Sequence, residues 1–80
     1  MPKSVFTETY RQFVKLLVEA RTSANVTQVE LADRIGWQQT DVSKVERGER
    51  RLDVVEFLQF ADALKVDAAE IIRRLQTGNY

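Results

Sequence analysis

Five residues near mid-chain, Gln39, Thr40, Ser43, Lys44 and Arg47, combine types and spacing that suit one kind of chemistry. At about 100° per residue on a helix they fill a continuous arc of roughly 140°. Each can donate a hydrogen bond. Val42 and Val45 fall on the opposite side, and the two acids of the segment, Asp41 and Glu46, fall on the borders between the faces. The segment carries no summed charge, yet it presents a donor face free of carboxylates. Such a face suits the DNA major groove, where base edges offer acceptors and donors and phosphates flank both sides. An ordinary solvated helix uses the same residue types, so the surrounding elements must decide.

Ala32, Gly36 and Val42 stand where two short helices meeting at a tight turn need them. A small residue lets the helices approach, a glycine accepts positive φ at the turn, and an aliphatic residue fills the angle between them. On its own this triplet is a weak signal. The elements around it are better marked. A first helix is expected from about Thr7 to Ser23, with Phe6, Tyr10, Phe13, Val14 and Leu17 along one stripe. Thr27 with Glu30 opens a second helix as a capping box, its inner face Leu31, Ala32 and Ile35, and Gly36 ends it. The third helix covers about Gln39 to Arg47 and stops at Gly48. Asp53 with Glu56 opens a fourth helix, and Asp67 with Glu70 a fifth, whose inner stripe is Ala68, Ile71, Ile72 and Leu75. Residues 1–3 and 77–80 read as frayed ends.

The stripe of the first helix, continued one turn, reaches Arg21. A guanidinium facing inward is costly without a partner, so a buried acid is required. Glu46, beside Val42 on the inward border of the third helix, is the candidate. An Arg21–Glu46 ion pair is therefore expected to tie the first helix to the back of the third.

Composition narrows the possibilities. The sequence has 80 residues, 44% of them hydrophobic, and twelve basic residues balance twelve acidic ones. That is enough for one domain spanning 1–80 and hardly two. With no cysteine or histidine, thiolate metal sites are excluded and the commonest general base is missing. No apolar run is long enough for a transmembrane helix, and residues 1–20 lack a signal-peptide core. A cytoplasmic, cofactor-free, all-α domain is expected, without a small-molecule ligand. No nucleophile–base pair, carboxylate pair or phosphate-cradling loop points to an enzyme.

Three stretches carry a more specific likeness: Thr27-Gln28-Val29-Glu30-Leu31-Ala32, then Ile35-Gly36, then Val42-Ser43-Lys44-Val45-Glu46-Arg47-Gly48. With Phe57–Leu64 and Val66-Asp67 they make the chain resemble, from about Phe13 to Leu75, the phage repressor and Cro-like (Xre-type) regulators. The resemblance implies a five-helix, lambda-repressor-like domain with its helix-turn-helix motif at 28–47. It also implies roles. Gln39, Thr40, Ser43 and Lys44 would read base edges, a glutamine being suited to adenine. Gln28 would contact a phosphate and brace Gln39. Thr27, Gln38, Arg47, Arg50 and Arg51 would lie along the DNA backbone. An Arg21–Glu46 pair recurs in this family. The sequence departs from the family at Gln38, where a serine or threonine usually caps the helix, and at Trp37, Asp41 and Glu49.

Trp37 is expected to pack between the second and third helices, the alternative being contact with a sugar or thymine methyl. Arg73 and Arg74 read as an exposed face. The fourth helix has an apolar arc (Val54, Phe57, Leu58, Phe60, Ala61, Leu64) wider than one core contact requires, and Leu16 and Val18 add apolar surface to the first. A symmetric homodimer through the fourth and fifth helices is expected, because one short helix reads few bases. The function expected is sequence-specific binding of duplex DNA by a transcriptional repressor on a near-palindromic operator. The alternative is a protein-interaction module on the same fold. The phage-repressor, restriction–modification controller and antitoxin subtypes stay open.

Overall fold

The computed structural model describes residues 2–78, with side-chain surroundings from residue 8 onward. Five helices follow one another: α1 (Pro2–Ser23), α2 (Gln28–Ile35), α3 (Gln39–Glu46), α4 (Val54–Leu64) and α5 (Ala68–Thr77). No helix among the described residues is long and apolar enough to cross a membrane. The first helix starts five residues before the expected Thr7, so Pro2 and Lys3 are helical rather than frayed. Thr77 likewise closes α5, and Gly78 caps it in left-handed backbone (φ 73°). The remaining expected frayed positions, 1, 79 and 80, and the side chain of Phe6 lie outside the described residues.

Local chemistry sets the boundaries. Asn25 adopts the left-handed conformation (φ 59°) that asparagine tolerates, which turns the chain out of α1. Thr27 Oγ1 accepts from the Glu30 N–H at 3.0 Å, and Glu30 Oε1 accepts from the Thr27 N–H at 2.8 Å. That closed box starts α2. Gly36 ends it at φ 74°; a Cβ there would meet no neighbour, so the backbone angle, not space, calls for glycine. Asp53 and Glu56 form the same reciprocal box before α4. The third box does not close as expected. Asp67 caps α5 through the Ala69 N–H at 3.0 Å, while Glu70 turns forward to pair with Arg73.

Two groups of buried side chains hold the helices together. Val26, Leu31, Ala32, Val42, Val45, Phe60 and Leu64 join α2, α3 and α4. Leu16, Leu17, Phe57 and Ile71 join α1, α4 and α5. Leu52 and Val66 pack against both groups. Val42 and Val45 are wholly buried, which fixes the opposite face of α3 toward solvent.

The apolar stripes differ from expectation at two places. Leu16 is core, not surface, because α1 packs on both α3 and α5 and so buries a wider arc than one stripe. Ile72 points outward and is half exposed. On α4, Phe57, Phe60, Ala61 and Leu64 enter the core, whereas Val54, Val55 and Leu58 stay exposed.

Candidate nucleic-acid interface

The short α2 and α3 pack across the Gly36 turn, and their polar edges meet at Gln28 and Gln39. A ladder of hydrogen bonds runs from the core to this point. Arg21 comes from the end of α1 with its side chain 13% exposed, and Glu46 from the end of α3 with its side chain 9% exposed. Arg21 Nε donates to Glu46 Oε2 at 2.6 Å and Nη2 donates to Oε1 at 3.0 Å. Nη1 donates to the Val26 carbonyl at 2.8 Å, which leaves the guanidinium well satisfied. Glu46 Oε1 also accepts from Gln28 Nε2 at 2.8 Å, and Gln28 Oε1 accepts from Gln39 Nε2 at 2.6 Å. The inward-facing arginine thus has its acid, and that acid reaches the outer face through one intermediary.

Around Gln39 the face is open. Thr27, Gln38, Thr40, Lys44, Arg47 and Arg51 are exposed, and Gln28 and Ser43 are partly covered. Asp41 is half-buried at the border of the face. Gln38 sits at the N-cap of α3 in extended backbone (φ −86°, ψ 150°) but makes no capping hydrogen bond with its side chain. Its main-chain carbonyl instead accepts from the Asp41 N–H at 3.0 Å, so no side chain at residue 38 caps the first turn.

The far end of α3 is arranged differently. Arg47 Nε and Nη2 donate to Glu49 at 3.1 and 3.2 Å, and Nη1 donates to Ser43 Oγ. The Glu49 hydrogen bond raises the affinity of Arg47 for its proton, and the same contact holds the Glu49 carboxyl below its ordinary value. Arg47 therefore stands at the interface already holding an acid. Glu49 departs from the family pattern in the sequence, and its pairing with Arg47 emerges only in the fold.

The loop after Gly48 is pinned by arginines on aromatic rings. The Arg50 guanidinium lies 4.0 Å from the centroid of Trp37, and its Nη2 donates to Glu56 Oε2 at 3.1 Å. Its Nη1 is buried without a hydrogen-bond partner. Arg50 thus pins the loop to Trp37 and Glu56, with its side chain still 37% exposed. Trp37 is half-buried against the core group that joins α2, α3 and α4; its packing role was expected, but its ring partner, Phe60 at 5.2 Å edge-on, belongs to α4 and not to the second or third helix. Arg51 is exposed and lies 4.3 Å over Tyr10, whose hydroxyl accepts from the Leu52 N–H at 3.1 Å. Tyr10 lies on the expected stripe of the first helix, and its hydroxyl, which the phenylalanines of that stripe lack, is the sign in the sequence that it anchors a loop.

Comparison with known proteins supports this geometry. A helix-turn-helix domain family model matches residues 12–73. The structure is similar to an XRE-family like protein from Pseudomonas syringae pv. tomato str. DC3000, with a TM-score of 0.93 and 39% identity over 99% of this chain and 96% of that one. It is also similar to the restriction–modification controller protein C.AhdI from Aeromonas hydrophila, with a TM-score of 0.71 and 32% identity over 81% of this chain and 97% of that one. No curated protein sequence matches. With that likeness spanning all five helices and the motif at α2 and α3, the chain belongs to the XRE-type family of helix-turn-helix DNA-binding transcriptional regulators.

Proposed function

We propose that this protein represses transcription by binding a near-palindromic duplex operator as a homodimer. The observation that carries the reading is the outer face of α3, where Gln39, Thr40 and Lys44 are exposed, Ser43 is partly covered and no carboxylate of the helix intervenes, while Val42 and Val45 are wholly buried behind them. Gln39, Thr40, Ser43 and Lys44 read base edges in the major groove. Thr27, Gln28, Gln38, Arg47 and Arg51 hold the backbone, with Arg50 shaping the loop that presents Arg51. Repression follows from occupancy, since a domain seated across a promoter excludes other proteins from it. No catalytic step, cofactor or small-molecule ligand enters, and the site of action is the cytoplasm.

The dimer forms through a second copy at α4 and α5. Val54, Val55, Leu58 and Ile72 are 73, 64, 47 and 48% exposed, leaving apolar side chains open on these two helices outside the helix-turn-helix pair. A shallow apolar groove lined by Tyr10, Phe13, Val54, Phe57, Ile72 and Leu75 adjoins it. Two copies related by a two-fold axis would present their α3 helices to half-sites about 34 Å apart.

A second reading, a protein-interaction module that retains the fold, draws on the zero net charge and on Glu49 occupying Arg47. A salt titration against duplexes selected from a random pool separates the two. DNA reading requires log K to fall linearly with log salt as phosphate counterions are released. Binding that is absent or indifferent to salt selects the module. Sedimentation of the free protein tests the dimer.

A further inference from the structure

The glutamines at the front of this interface are not free to choose which end of the amide faces out. Glu46 is a carboxylate and only accepts hydrogen bonds. Gln28, 2.8 Å from Glu46 Oε1, must therefore turn its Nε2 inward. Its Oε1 then faces Gln39, and the 2.6 Å contact there requires the Nε2 of Gln39. A primary amide has two N–H groups, so one is used on Gln28 and the other remains beside Oε1. Gln39 thus shows the groove one donor and one acceptor. In the reversed order, with Gln39 accepting from Gln28, it would show two donors.

These two faces match different bases. Adenine offers N7 as acceptor and its amino group as donor, whereas guanine offers two acceptors, N7 and O6. We infer that Glu46 is a specificity-determining positioning residue that never touches DNA: acting through Gln28, it locks the Gln39 amide in the orientation that selects adenine over guanine. The fork of Arg21 on both oxygens of Glu46 keeps that carboxylate from rotating away. The inference rests on the DNA-reading function proposed above.

The test measures one ratio, the affinity for adenine over guanine at the half-site position whose preference Gln39→Ala erases. The first variant is Arg21→Met with Glu46→Met, an apolar replacement of a buried ion pair of the kind that folds keep. The second, Glu46→Gln, keeps the side chain's shape but can offer Gln28 a donor in place of an acceptor, so it decides alone if the first fails to fold. Wild type should favour adenine roughly tenfold or more, and both variants should bring the ratio to within about twofold. In a Gln39→Ala background neither variant should change the ratio further. Variants that bind every sequence more weakly but keep the full ratio would overturn the inference while leaving DNA reading intact. A wild type with no salt-dependent binding to any selected duplex removes the DNA reading itself, and the inference with it.

Discussion

Two arginine–glutamate pairs meet at the C-terminal end of α3, each closed by two guanidinium nitrogens, and they could hardly differ more in what they do. At Arg21–Glu46 the side chains are 13 and 9% exposed, and the pair joins α1 to α3 and, through Gln28, to the reading face. At Arg47–Glu49 they are 54 and 57% exposed, and the partners are two residues apart in the same loop. Burial decides the contrast. Removing one partner from a buried pair strands an unpaired group in a medium that solvates it poorly. Removing one partner from an exposed pair hands the other to water. The inner pair therefore fixes geometry, whereas the outer one can be exchanged for a phosphate at little cost.

The largest effect should come from breaking the inner pair. Glu46→Ala should destabilise the fold by about 3 kcal/mol, since Arg21 would be left inward-facing and without its acid. Denaturant unfolding measures this, and an unchanged midpoint would mean that the pair only decorates the bundle. Next comes Gln39→Ala, expected to lose about 1–3 kcal/mol on the selected site and to relax preference at one base position. Thermal stability should hardly move, because the side chain is exposed. Arg47→Ala should weaken all sequences alike and flatten the salt slope by about one. Identical selectivity profiles for these two variants would abolish the division between base reading and backbone gripping.

Smaller effects sharpen the outer pair. Glu49→Gln should free Arg47 and strengthen binding to every duplex by about threefold, with a steeper salt dependence. Equal affinities would show that Glu49 does not compete with phosphate. The smallest effect concerns acid. The main-chain hydrogen bond from Thr27 holds the Glu30 carboxyl below its ordinary value. A carboxyl depressed in the folded state adds stability above its unfolded pKa and loses it as pH falls through the folded value. Glu30→Gln should accordingly narrow the stability gap between neutral pH and the acid side of the carboxylate range, while an unaltered gap would assign the acid sensitivity elsewhere.

Features governed by neighbours in sequence were legible from the chain alone. The boxes at Thr27 and Asp53 and the glycine at position 36 depend on residues within a turn, so their spacing is their signature. The Arg21–Glu46 pair was legible for a different reason: a charge on an apolar stripe demands a partner, and few acids face inward. What escaped depended on third bodies. Leu16 is buried because α5 covers a flank of α1 that no periodicity within α1 announces. Ile72 shares the apolar character of Ile71 but sits one residue round the helix, at the rim of a groove where residues of α1 and α4 cover only about half of it. Glu70 had a choice between the Asp67 N–H and Arg73, and the helix geometry favoured the arginine. The link from Gln28 to Glu46 needs the packing of α2 on α3 before it can be seen.

Leu52 and Val66 touch both groups of buried side chains, and this has a thermodynamic consequence. A half of the molecule cannot melt without pulling two residues out of the other half, so the chain should open as one cooperative unit. Occupying the α2–α3 end would then slow amide exchange in α4 and α5 as well, and a duplex would firm up the far side of the molecule without contacting it.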